Sequence, residues 1–188
     1  MFERFTKDAR AVVKGAVEQA EEAGARYVGA DHLLLALIDR EGSRGSFALA
    51  ALGLAERRDS VRAAVGEARR RAGLTQAETD ALAGLGIDVT EIVARVEDVH
   101  GPGAMSRDER NAGRWRSGHR PFTREAKDAL TGALRAATDR HDRHIGDEHL
   151  LLALTVRPGV PAEVLADHGV TYESLTRVLY GDGEAKAG

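Results

Sequence analysis

The chain has 188 residues, a formal net charge of −3, 43% hydrophobic and 30% charged residues, and no cysteine. The missing cysteines exclude disulfides and Cys-based zinc or thiol chemistry, and the acidic balance gives no general field for nucleic acid. The charged first ten residues lack the apolar core of a signal peptide, and the longest wholly apolar runs, 33–38 and 47–52, are far too short for a bilayer. A cytoplasmic location with no membrane contact is therefore expected. Aromatics make up only 4%, and there are four prolines. Apolar content carried mainly by Ala, Leu and Val, with so few breakers, predicts an all-α fold.

In chain order, Thr6 opens the first predicted helix as its N-cap, with Asp8 in the first turn where the helix dipole favours negative charge. Ala9, Val12, Val13, Ala16, Val17 and Ala20 form one apolar stripe at helical spacing, and Gly24 ends it. A second helix starts near Asp31; its Leu-rich body is apolar on most sides and should be the buried centre of its unit. The pattern then predicts a short third helix over 46–52, stopped by Gly53, and a fourth over 59–72. Residues 75–85 and 90–99 are predicted as two further helices, the latter with Ile92, Val93 and Val96 on one face. After Gly101-Pro102-Gly103 the chain is polar and basic (Arg107, Arg110, Arg114, Arg116, with Trp115), which predicts a flexible linker.

From Phe122 the first pattern returns. Phe5-Thr6 matches Phe122-Thr123, and Gly29-Ala30-Asp31-His32-Leu33-Leu34-Leu35-Ala36-Leu37 matches Gly146-Asp147-Glu148-His149-Leu150-Leu151-Leu152-Ala153-Leu154. The offset is 117 without a gap, and 14 of 34 aligned positions are identical. Thr123 is again an N-cap, Glu148 again an acid at a helix start, and further helices are predicted over 161–168 and 172–180. The organisation expected is a first repeat over 1–72, a partly helical insert over 73–118, a second repeat over 119–181 and a disordered tail over 182–188. Each repeat has about four helices, and the pair is related by a pseudo-twofold.

The opening Met1-Phe2-Glu3-Arg4-Phe5-Thr6, the Gly-Ala-Asp-His-Leu-Leu-Leu-Ala-Leu segment and Gly118-His119-Arg120-Pro121-Phe122-Thr123 resemble the Clp N-terminal (Clp R) domain, most closely that of ClpC-type chaperones. The chain holds no Gly-x-x-x-x-Gly-Lys-Ser/Thr phosphate loop. With its longer insert (Gly86-Ile87-Asp88, Gly101-Pro102-Gly103-Ala104) it is similar to stand-alone Clp N-domain proteins of actinobacteria, without AAA+ modules. The resemblance implies a non-enzymatic, cofactor-free binding protein. Its implied partners are a Clp ATPase, Clp adaptors or tagged protein substrates, and its implied role is adaptor, decoy or ligand sink in Clp proteolysis.

The resemblance also implies two kinds of site. One is a phosphoarginine-like pocket at each repeat, with the acid forking to a guanidinium and a helix start receiving phosphate. The matching positions are Asp31 with Thr6, and Glu148 with Thr123. Asp31 is one methylene shorter than the family's Glu, and Ala30 and Asp147 stand where the family motif has Thr. The other is a groove for adaptors or cyclic peptides, matched by Phe2, Phe122 and Lys127. Two alternatives come from the residues alone. A His141/His144/His149 cluster beside Glu148 suggests a metal-dependent hydrolase, though it lacks the His-Glu-x-x-His spacing and crosses a predicted loop. The basic linker from Arg107 to Arg120 suggests a nucleic-acid binder.

Overall fold

A computed structural model describes residues 2–101, 104–105 and 120–181, apart from the side chain of Phe2. Among these residues it is all-helical, with ten α-helices: α1 Lys7–Glu22, α2 Ala30–Ile38, α3 Arg44–Ala51, α4 Arg58–Arg70, α5 Gln76–Gly84, α6 Val89–His100, α7 Arg124–Asp139, α8 Asp147–Val156, α9 Val160–Asp167 and α10 Tyr172–Tyr180. Helices α1–α4 and α7–α10 follow the same order in the two repeats, and α5 and α6 lie between them in the stretch expected as the insert. Most of the basic linker and the predicted tail lie outside the described residues. Among the described residues no helix is long and apolar enough to cross a membrane.

The two Leu-rich helices are the centre of the molecule. Every residue from His32 to Ile38 in α2, and from Asp147 to Leu154 in α8, is buried. Each fully buried leucine contributes about 1.5–3 kcal/mol relative to exposure, so these two helices carry much of the core. Around them the buried stripe of α1 (Ala9, Val12, Ala16, Ala20) and that of α7 (Ala126, Ala129, Leu130, Ala133, Ala137) are mostly alanine. Small stripes let helices approach closely. A Cβ on Gly15 would meet the Ala36 Cβ at 3.2 Å, and one on Gly132 would meet the Ala153 Cβ at 3.0 Å. These matched glycines set the contact of α1 with α2 and of α7 with α8.

Two expectations are corrected. Helix α3 begins two residues earlier than the apolar pattern suggests, because Ser43 is its N-cap: the Ser43 Oγ accepts the Ser46 N–H at 3.1 Å, and the Ser46 Oγ accepts the Ser43 N–H at 2.9 Å. In α6 the buried face is Val89 and Val93, whereas Ile92 is exposed. The Asp88 cap, which accepts the Glu91 N–H at 3.1 Å, starts the helix one residue early. The insert is tied to both repeats. The Glu163 carboxylate of α9 accepts the Gln76 N–H at 2.7 Å at the start of α5, and Arg70 of α4 pairs with Glu97 of α6 at 2.9 Å.

Candidate functional site

Each repeat presents two helix starts, and both are built by local chemistry. Thr6 and Thr123 have extended backbone and accept the N–H groups of Ala9 and Ala126 at 3.1 and 3.2 Å. At the other starts, His32 Nδ1 accepts the Gly29 N–H at 2.9 Å and His149 Nδ1 accepts the Gly146 N–H at 3.0 Å. The recurring histidines therefore hold helix starts in shape, with Nδ1 unprotonated. Their other nitrogens differ. His149 Nε2 reaches Asp142 at 3.0 Å, while His32 Nε2 is buried without a hydrogen-bond partner.

The pairing of the starts is crossed between repeats, which corrects the expectation that Asp31 works with Thr6 and Glu148 with Thr123. Single parallel bridges join Phe5 to Ile145 and Val28 to Phe122. The Thr6 N–H donates to the Ile145 carbonyl at 2.9 Å, and the Thr123 N–H donates to the Val28 carbonyl at 3.0 Å. Backbone donors at chain crossings must find partners, and here they find them in the opposite repeat. Thr123 is thereby brought to Asp31, and Thr6 to the Glu148 end of α8.

Asp31 and Thr123 line one cavity of about 560 Å³. Its floor is apolar (Ala68, Ala129, Leu154), its far side is the Gly159-Val160-Pro161 start of α9, and Thr75 and Glu78 of the insert form a wall. Arg69 donates from Nε to Asp31 Oδ2 at 2.5 Å. Burial alone would raise the Asp31 carboxyl; the paired Arg69 guanidinium opposes it, and Asp31 is held well below the ordinary carboxylate range. The α9 start carries no side-chain cap.

The Glu148 end is built differently. Asp147, matched to Ala30, is 2% exposed and turns inward onto the start of α3. It accepts the Ser43 hydroxyl and the Gly45 N–H, the latter at 3.2 Å. A Cβ on Gly45 would lie 2.5 Å from the same carboxylate oxygen, so only glycine leaves room for it. Beside it Glu148, 5% exposed, pairs with Arg44 Nη1 at 3.1 Å. Burial raises the Glu148 carboxyl above its ordinary range, the Asp147 charge adds to that, and Arg44 opposes it. Arg44 and Arg140 also stand over the Tyr180 ring, at 5.4 and 3.3 Å. The α3 start thus holds an anion supplied by the chain itself.

The remaining candidates are dispersed. Phe122 is half-buried and packs on the core, Lys127 is exposed, and the Phe2 side chain lies outside the described residues. His141 and His144 are exposed while His149 is buried, with both of its nitrogens engaged. Among the described residues no group of three or more His, Cys, Asp or Glu is placed to hold a metal ion. The basic linker residues Arg107 to Arg116 lie outside the described residues. Arg69, Arg44 and the insert's Thr75 and Glu78 were not singled out from sequence. The signal for Arg69 was a run of charge at the end of α4, which reads equally as a solvated helix end, and that for Thr75 and Glu78 was the Thr-x-x-Glu spacing of a helix cap.

The model of the Clp repeat (R) N-terminal domain family matches residues 4–80 and 121–186. Chaperone protein ClpC1, chloroplastic, of Arabidopsis thaliana is 30% identical over 186 residues, covering 98% of this chain and 16% of its own. The ClpA homolog CD4B, chloroplastic, of Solanum lycopersicum is 29% identical over 187 residues, again 98% of this chain and 16% of that protein. The chain therefore spans 16% of the length of these relatives. Among solved structures, the N-terminal domain of ClpD from Arabidopsis thaliana matches at TM-score 0.49 and 21% identity, covering 95% of this chain and 94% of that one. A structure described as part of a malarial protein secretion system matches at TM-score 0.50 and 14% identity, covering 94% and 92%, a likeness of fold. With both repeats matched over most of its length, the chain belongs to the Clp repeat (R) N-terminal domain family.

Proposed function

We propose that this chain is a non-enzymatic binding module that receives an anionic group of a partner protein in the cavity between Asp31 and Thr123. The observation carrying this reading is that cavity, walled by both repeats and the stretch between them, with the Asp31–Arg69 pair over apolar residues and Glu78, Glu125 and Arg157 also on its lining. Such a mixture of apolar lining and few placed polar groups suits a peptide-borne ligand. The pseudo-twofold copy supports the choice of an anion: where Asp147 supplies a carboxylate to the α3 start, Ala30 leaves the α9 start without one. A phosphorylated side chain such as phosphoarginine fits this description. By resemblance, the partners are a Clp ATPase, its adaptors or tagged substrates, and the chain acts on Clp proteolysis as adaptor, decoy or ligand sink.

Calorimetric titration with phosphoarginine, and with an arginine-phosphorylated protein, is expected to show one equivalent bound per chain. Ala30→Asp, which transplants the acid of the second repeat into the first, should reduce that binding at least tenfold with the fold intact by circular dichroism. Heat absent from both titrants, or two equivalent sites, contradicts the reading. A pull-down from the host that recovers a Clp ATPase or its adaptor would place the module on the Clp machinery.

A further inference from the structure

Arg69 leaves the last turn of α4 and reaches across to the start of α2, where its Nε holds Asp31 Oδ2 at 2.5 Å. The carboxylate that a ligand guanidinium would need is therefore already paired with a guanidinium of the chain itself. The other cation of the cavity wall, Arg157, is bound to Asp128 at 2.7 Å. Arg69 is less completely satisfied. Its Nη2 is buried without an acceptor, while 27% of the side chain remains exposed along the cavity.

The acids of the rim do not offer a free carboxylate in its place. Glu78 accepts the Thr75 N–H at 2.8 Å and the Thr75 hydroxyl at 2.9 Å, closing the start of α5. Glu125 is held below its ordinary range by its own backbone N–H and by the Thr123 side chain. A guanidinium entering the cavity must displace Arg69, which is tethered and has no translational entropy to lose. An anion entering meets the exposed part of a planar five-donor guanidinium.

We infer that Arg69 sets the ligand class: the cavity takes a phosphate head group through the Arg69 guanidinium and does not read a guanidinium on Asp31. This rests on the cavity being the ligand site. Phosphoarginine is then bound for its phosphate alone, on equal terms with other phosphorylated side chains. Arg69 is a specificity-determining residue, and its removal should change which ligand is preferred rather than only how tightly ligands bind.

The test uses the full chain and the N-acetyl amides of phosphoserine, phosphoarginine and arginine, titrated by calorimetry. The wild type should bind the two phosphorylated compounds within about threefold of each other and show no competition from the arginine compound. Arg69→Gln should weaken the phosphoserine compound at least tenfold. By freeing Asp31, it should also turn the preference toward phosphoarginine by at least tenfold. A wild type that already prefers phosphoarginine tenfold, or an unchanged ratio in Arg69→Gln, overturns the assignment. Ala30→Asp separates the two failures. If it leaves phosphoserine binding intact, or if no compound binds the wild type, the cavity reading itself falls. If it abolishes binding while Arg69→Gln leaves the ratio unchanged, only the role of Arg69 falls.

Discussion

Gly132→Leu is expected to destabilise the chain by about 2–3 kcal/mol, after allowing for the better intrinsic helix propensity of leucine. A Cβ at position 132 already stands 3.0 Å from the Ala153 Cβ, with the Ala153 Cα at 3.8 Å behind it. A longer side chain must therefore push α7 off α8, against the face that buries Leu150 to Leu154. Close-packed interiors do not absorb such volume without moving helices. Thermal unfolding should show the loss directly, as a fall in Tm of several degrees. A Gly132→Leu variant as stable as wild type would show that α7 and α8 do not approach as described.

Arg44→Ala should cost about 2–3 kcal/mol near neutral pH, less than a fully buried pair because the Arg44 side chain is 55% exposed. The loss comes chiefly from Glu148, whose charge is buried and then lacks its cation. Its pH dependence has a definite sign. Glu148 is already raised above its ordinary value by burial, and removing Arg44 raises it further. A carboxyl raised in the fold contributes stability that is fully present below its unfolded pKa and is lost as pH rises through its folded pKa. The gap between variant and wild type should therefore be small near pH 4, about the unfolded carboxyl range, and full at pH 7–8. Denaturant unfolding at both pH values checks this; a gap that widens toward acid contradicts it. Asp31 has the opposite sign: it is held low, so its stabilisation is present at neutral pH and is lost only under strong acid.

Much of the fold was legible because it is local. The Leu33 to Ile38 run, the Thr6 and Thr123 caps and the 117-residue offset each depend on neighbours in sequence, and they led directly to two four-helix units with buried central helices. On α6 the apolar pattern pointed to Val93 and Val96, which are buried and partly buried, but it did not separate them from Ile92, which is exposed. The site was less legible for a different reason. Its partners come from opposite repeats, through backbone bonds between Thr6 and Ile145 and between Thr123 and Val28. Such pairings leave no periodic trace.

The acid at 147 was visible as added charge near a helix start. That it turns inward and caps α3 depends on Gly45 lacking a side chain 102 positions earlier. Arg69 was hidden in a run of three arginines, of which Arg70 goes to Glu97 and Arg71 to Gln76. The proposed function rests on an unequal pair of helix starts. At the matched positions 30 and 147 the repeats differ: Ala30 brings no carboxylate to the cavity at the junction of the repeats, whereas Asp147 places one on the start of α3.

Amide chemical-shift mapping during titration with phosphoarginine tests that asymmetry most directly. Shifts should be confined to Gly29–Asp31, Arg69, Thr123 and Val160 and should saturate together at one equivalent, while Ser43, Gly45 and Glu148 stay in place. Comparable shifts around Thr6, Gly146 and Glu148, or movement of neither set, would contradict a single open cavity shared by the two repeats.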